Sequence, residues 1–249
     1  MFNIIDYKRK MEEQFQRIEI LLGKETMKKI HSKKVAIFGL GGVGSYVAEA
    51  LVRAGITKFI LVDSDKIDIT NLNRQIHATH ETIGHYKVDE MQKRMTSINP
   101  NVQIKGIKEF VTEENIQEIL SEEDIDYVVD AIDTVKSKIA IIETAKSKNI
   151  WTISSMGAAN KLDPTKLEVT DIYKTKTCPL AKIIRKELRK RNIPNLKVVY
   201  STEQPQKPQL PPNTTGKILG STSFVPSTAG LIIASQIIGD VSQWVILTH

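Results

Sequence analysis

The chain has 249 residues, 41% hydrophobic and 26% charged, with a formal net charge of +6 and a single cysteine, Cys178. This balance describes a globular chain able to bury one large core and excludes a low-complexity polymer. One cysteine excludes an internal disulfide and a zinc site of paired C-x-x-C motifs, and Asp6, Lys8, Arg9, Lys10, Glu12 and Glu13 break any signal-peptide pattern, so the expected compartment is the cytoplasm.

Residues 11–22 predict an N-terminal helix with Phe15, Ile18, Leu21 and Leu22 turned inward. The apolar run 35–38 predicts a strand that enters Gly39-Leu40-Gly41-Gly42-Val43-Gly44 and then a helix over 46–54. In such a turn Gly39 permits the tight bend, Gly41 the close approach of a phosphate, and Gly44 the packing of helix on strand. A second strand, 59–62, ends at Asp63, about 20 residues past the glycines, where an acid can bond a ribose hydroxyl. Strands at 102–107, 127–129 and 151–155 alternate with helices at 88–98, 114–120 and 137–148. That alternation predicts an α/β, Rossmann-like doubly wound and mostly parallel sheet with helices on both faces. A further strand at 166–172 opens a smaller C-terminal region.

In that region Leu180, Ile183, Ile184 and Leu188 recur at helical spacing beneath Lys182, Arg185, Lys186, Arg189 and Lys190, an amphipathic helix with a basic outer face. Such a face is either a solvated surface or a phosphate-binding one; beside a nucleotide site it predicts contact with RNA. Residues 203–215 hold Pro205, Pro208, Pro211 and Pro212 and predict a loop. The run 229–238 is apolar on nearly every face and too short for a membrane span. It predicts a helix buried in the core or against a second copy, and a homodimer interface is favoured.

The glycine turn alone does not choose between ATP and a nicotinamide dinucleotide. The residues after it do. Asp63 is followed by Asp65, Asn71, Arg74 and Lys87, two cations and a further acid, which suit a triphosphate with magnesium. Asp130 and Asp133 follow the strand 127–129, at the carboxyl end of the sheet where open α/β folds bind ligands. His77, His80 and His85 cluster without a metal-ligand spacing, although His77 could contact substrate.

Together Gly39 to Gly44, Asp63-Ser64-Asp65, Asn71-Leu72-Asn73-Arg74-Gln75, Gly84-x-x-Lys87 and Asp130-x-x-Asp133 resemble the ubiquitin-activating-enzyme-like adenylating superfamily. The segments around Arg17, Asn73-Arg74-Gln75-Ile76-His77-Ala78, Asp163-Pro164-Thr165, Val169-Thr170-Asp171-Ile172, Pro179-Leu180-Ala181 and Ser221-Thr222-Ser223-Phe224-Val225-Pro226 are similar to its branch that acts on tRNA, the threonylcarbamoyladenosine dehydratases. The resemblance implies an acyl-adenylate enzyme using ATP and Mg2+. Its site would comprise Gly39, Gly41, Gly42, Gly44, Asp63, Asp65, Asn71, Arg74 and Lys87 for the nucleotide. Asp133, with Asp130 as second choice, would hold the metal, and Arg17 would serve as an arginine finger reaching the partner subunit. It also implies tRNA as partner, a homodimer and the option of sulfur-relay proteins. In that branch the position of Cys178 is an aspartate, so no thiol is required there. The chain then divides into an N-terminal helix (1–30), an ATP-binding domain (31–160) and a substrate, tRNA-binding and dimerisation region (161–249). Two rival readings, an activator of a ubiquitin-like sulfur carrier and an NAD-binding oxidoreductase or nucleotide module, stay open at this level.

Overall fold

A computed structural model describes residues 13–121, 124–209 and 219–243. Two helices, α1 (Gln16–Leu22) and α2 (Lys24–Ser32), precede the sheet. The chain then alternates through β1 (Lys34–Phe38), α3 (Gly44–Arg53), β2 (Lys58–Val62), α4 (Lys87–Ile98), β3 (Gln103–Ile107), α5 (Ile116–Ile119), β4 (Tyr127–Asp130), α6 (Val135–Ser147) and β5 (Trp151–Ser155). It continues with β6 (Leu167–Asp171), α7 (Pro179–Lys190), β7 (Lys197–Ser201) and α8 (Phe224–Ser242). The strands form one seven-stranded sheet in the order β3-β2-β1-β4-β5-β7-β6. Every pairing is parallel except β6 with β7.

The expected doubly wound sheet is therefore present, with two differences. β7 was not foreseen; its buried Val198-Val199-Tyr200 sits between β5 and β6, so residues after 160 extend the same sheet. α2 was also unforeseen, and Leu21, expected to face inward, is 78% exposed.

Side chains alternate across the sheet as the strand period requires. Val35, Ile37, Phe59, Leu61 and Val129 face α2, α3, α4 and α8, whereas Ala36, Phe38, Ile60, Val62 and Val128 face α5 and α6. α7 packs with α6 and β7 through Ala181, Ile184 and Leu188, spaced i, i+3, i+7. The stripe is narrower than expected, because Leu180 lies at its margin and Ile183, about 100° round the helix from Ile184, is 48% exposed.

α8 corrects another expectation. It is 19 residues long, so length and apolarity alone would let it cross a bilayer, but most of it is buried within this chain. Ala229, Ile233, Ala234, Ile237 and Val241 join the core over the sheet. A Cβ on Gly230 would lie 2.5 Å from the Val43 carbonyl oxygen and 2.9 Å from the Tyr46 Cβ, so glycine permits this close crossing over the start of α3. Of the two expected burial sites the core of this chain takes most of the helix, while Phe224 and Leu231 stay about half exposed.

Candidate nucleotide site

β1 lies at the switch point of the sheet, since the chain builds outward through β2 and β3 and then returns to add β4 on the other side. Ligands of open α/β sheets bind at the carboxyl ends of strands beside such a point. The glycine turn spans that crevice. Gly39 has φ +87°, and a Cβ there would lie 2.8 Å from the Ala131 carbonyl oxygen. A Cβ on Gly44 would lie 1.8 Å from the Gly39 carbonyl oxygen, a contact no side chain can make. Nothing lies within 4 Å of a Cβ built on Gly41, so the space above the turn is open there. Gly42 is bordered by Arg74 and Pro226, which brings two motifs distant in sequence to the rim of the turn. Asn73 Nδ2 donates to the Ser221 carbonyl 3.0 Å away and fastens the same seam.

Asp63 closes β2 and reaches back to the turn. Its Oδ2 accepts the Leu40 N–H at 2.6 Å and its Oδ1 the Asp65 N–H at 2.8 Å. Each carboxylate oxygen has two acceptor sites, so capacity for a ribose hydroxyl remains. Burial pushes the Asp63 carboxyl up, opposed by the Lys87 charge and the two N–H donors. Lys87, the first residue of α4, bonds Asp65 Oδ2 at 2.6 Å and lies 3.9 Å from Asp63 Oδ1. Its side chain is only 7% exposed, whereas that of Asp65 is 65% exposed.

Asn71 is buried and its side-chain oxygen accepts the Asp68 N–H, so it shapes the 3-10 turn Ile69–Asn71. Arg74 is half-buried; its Nη1 donates to the Thr70 carbonyl at 2.8 Å and to Asn73 Oδ1 at 2.9 Å, with its Cγ against Gly42.

The two candidate metal carboxylates separate clearly. Asp130 is fully buried at the end of β4, paired at 2.7 Å with Lys138, which is itself fully buried. Ser154 donates to the same carboxylate, and Lys138 also donates to the Ser155 carbonyl at 2.9 Å. These partners occupy Asp130 with holding β4, α6 and β5 together. Asp133 is exposed and has no hydrogen-bond partner among the described residues. No group of three or more His, Cys, Asp or Glu side chains able to hold a metal occurs among those residues. Lys138 escaped the sequence reading; its only signal was a lysine embedded among the apolar residues of the α6 pattern.

Arg17 is exposed on α1, which packs on α2. The basic helix is less uniform than its composition. Lys182, Lys186, Arg189 and Lys190 are exposed. Arg185 is instead half-buried, donating to the Thr175 carbonyl at 2.8 Å, and Lys190 pairs with Glu187 at 2.8 Å. Arg189 stands over the Tyr173 ring, 5.4 Å from its centroid. Cys178 is buried at the N-cap of α7, close to Gly157 in the segment that follows β5. The nearby Lys161 is also buried; its ammonium donates to the Glu203 carbonyl, and burial pushes its pKa down.

The model of the ThiF family matches residues 12–245. The chain belongs to the ThiF family. Among similar proteins of this family, the tRNA threonylcarbamoyladenosine dehydratase of Bacillus subtilis is 41% identical over 92% of this chain and 95% of its own length. The corresponding protein of Haemophilus influenzae is 33% identical over 91% of this chain and 92% of its own length. A crystal structure of the Escherichia coli tRNA N6-threonylcarbamoyladenosine dehydratase in complex with ATP superposes with a TM-score of 0.85. Identity there is 32%, over 93% of this chain and 94% of that one. Family membership matches the adenylating superfamily indicated by the motifs.

Proposed function

We propose that this chain is an ATP-dependent dehydratase of threonylcarbamoyladenosine in tRNA. The observation that carries the reading is near full-length likeness to dehydratases of that substrate, one of them solved with ATP. It is supported by the open space above Gly41 in the glycine turn at the switch point of the sheet.

The triphosphate lies over Gly39 to Gly44, where the N-terminus of α3 favours anions, and the ribose lies by Asp63. Asp65, Asn71, Arg74 and Lys87 border the phosphates. Arg74 and Lys87 stabilise charge that develops on the phosphoryl oxygens in the transition state. The threonyl carboxylate attacks the α-phosphorus and pyrophosphate leaves. The carbamoyl group then attacks the activated acyl carbon, closing a ring and releasing AMP. The net change is loss of one water from the nucleoside, with ATP cleaved to AMP and pyrophosphate. Asp133 fits a magnesium ion better than Asp130, being an exposed carboxylate without a cationic partner among the described residues, and magnesium commonly takes one or two carboxylates with phosphates and water. When bound, the ion supplies charge stabilisation to the departing pyrophosphate.

Lys182, Lys186, Arg189 and Lys190 supply a phosphate-binding face for the tRNA body, with Arg185 chiefly bracing the turn at Thr175. Arg17 acts in trans within a homodimer. Ile20 and Leu21, 75% and 78% exposed on the same helix as Arg17, give that subunit contact an apolar surface, and Phe224 and Leu231 of α8, about half exposed, offer a second. The expected compartment is the cytoplasm, where tRNA and ATP meet.

The test incubates purified protein with ATP, magnesium and tRNA carrying the threonylcarbamoyl nucleoside. Mass spectrometry of the nucleosides should show loss of one water, matched by AMP release. Asp133→Ala should lower AMP release by roughly a hundredfold or more while the fold persists, because loss of a metal carboxylate forfeits several kcal/mol of charge stabilisation. Parent-like AMP release from that variant would remove Asp133 from the metal site, and absence of the dehydrated nucleoside with the parent would end the functional reading.

A further inference from the structure

Four buried side-chain polar atoms lack a hydrogen-bond partner among the described residues, and three of them belong to Gln75 and His77: Gln75 Oε1, His77 Nδ1 and His77 Nε2. The residues are 5% and 3% exposed. Native interiors rarely leave such atoms unpaired, and clusters of them call for a functional explanation. This one lies in the turn that directly follows Arg74.

The turn itself is well fixed. The Gln75 N–H donates to the Asn71 carbonyl and the Ala78 N–H to the Gln75 carbonyl, both at 3.0 Å. Thr82 Oγ1 donates to the His77 carbonyl at 2.9 Å. These backbone groups are paired while the side chains are not. His77 lies in the field of Lys87, Glu90 and Arg94. These residues follow one another at i, i+3 and i+7 and so share a face of α4. Burial, reinforced by the Lys87 charge, pushes the His77 pKa down to about 4. At neutral pH the ring therefore carries one N–H donor and one bare acceptor nitrogen, both unused.

Lys87 has donors to spare. Its ammonium carries three hydrogens, one engaged by Asp65, and Asp63 at 3.9 Å is beyond hydrogen-bond distance. We propose that His77 is a positioning residue for Lys87 that engages when nucleotide binds: as the phosphates draw the ammonium off Asp65, the bare imidazole nitrogen accepts one of its hydrogens, directly or through one ordered water. The unpaired His77 nitrogen and the spare donor of Lys87 then satisfy each other, and the ammonium is held against the phosphates. This rests on the ATP reading given above.

His77→Phe tests it, since phenylalanine keeps a ring of similar size and removes both nitrogens. Without ligand, the variant should unfold at the same temperature as the parent or a few degrees higher, because two unpaired buried polar atoms are gone. With Mg-ATP, the rise in unfolding temperature should be smaller than that of the parent, and KM for ATP should be about tenfold higher with KM for tRNA unchanged. His77→Gln, which restores an acceptor, should recover part of the ATP effect. On a Lys87→Met background His77→Phe should add nothing further, the coupling expected of two groups acting as one. A full parent-like response of His77→Phe to Mg-ATP would overturn the His77 role alone, and so would a marked loss of ligand-free stability. A parent with no response to Mg-ATP would overturn the nucleotide reading and this inference together.

Discussion

Two lysine–aspartate pairs stand at the carboxyl end of the sheet and differ in almost every respect that governs function. Lys138 and Asp130 are both sealed from solvent, and further bonds to Ser154 and the Ser155 carbonyl absorb their remaining capacity. Lys87 is nearly as buried, but its closest carboxylate, Asp65, is two-thirds exposed and its remaining donors are unspent. A sealed pair cannot exchange partners without uncovering a charge in a low-dielectric interior, so it serves architecture. A pair with one member in water can give that member up to a ligand at small cost. The same two residue types thus produce a brace in one place and a movable cation in the other.

Breaking the sealed pair should have the largest effect on stability. Lys138→Met leaves Asp130 buried and uncompensated, and unfolding in urea should show a loss of about 3–5 kcal/mol. Adding Asp130→Asn removes the stranded charge and should return much of it; a single Lys138→Met chain as stable as the parent would mean the pair is not a brace.

The open pair should respond in the opposite way. Lys87→Met removes the pair with exposed Asp65 and the cation 3.9 Å from Asp63, whose two N–H donors remain, so it should cost less stability than Lys138→Met, yet it should lower ATP turnover by at least about a hundredfold, or nearly 3 kcal/mol on the activation barrier. Comparable losses in stability and in barrier, measured on one preparation, would erase the distinction between the pairs.

Exposed charges complete the series. Reversing Lys182, Lys186, Arg189 and Lys190 to glutamate leaves Ala181, Ile184 and Leu188 in place and should change stability least of the three. Affinity for tRNA should nevertheless fall, and residual binding should depend less steeply on salt, because fewer counterions are released. Arg185 is left alone in this variant because its bonds at Thr175 belong to the fold. Polarisation titrations across a salt series would return α7 to a plain solvated surface if affinity and slope both stayed as in the parent.

What could be read in the sequence follows from how local each feature is. The glycine turn, Asp63 and the alternation of β and α elements are set by short-range periodicity and φ requirements, and the structure reproduces them. β7 was hidden because its apolar stretch, 198–200, is only three residues long and the strand begins at Lys197, which reads equally as part of the basic run. The pairing of Lys138 with Asp130, the contact of Asn73 with Ser221 and the burial of α8 depend on which segments meet in space. No local pattern specifies those meetings. Arg185 illustrates the same limit, since five basic residues on one helix look alike until the neighbouring turn at Thr175 claims one of them.

The close passage of α8 over α3 at Gly230 also orders events during synthesis. The glycine turn and β1 emerge early from the ribosome, but Val43, Tyr46 and the core face above β1 gain their cover only when residues 224–242 have been made. Contacts so distant in sequence form late and slowly. The nascent chain therefore carries the turn and strands that cradle nucleotide well before it has the packing that steadies them. A chain that stops short of α8 leaves an apolar helix face open to aggregation or to a chaperone.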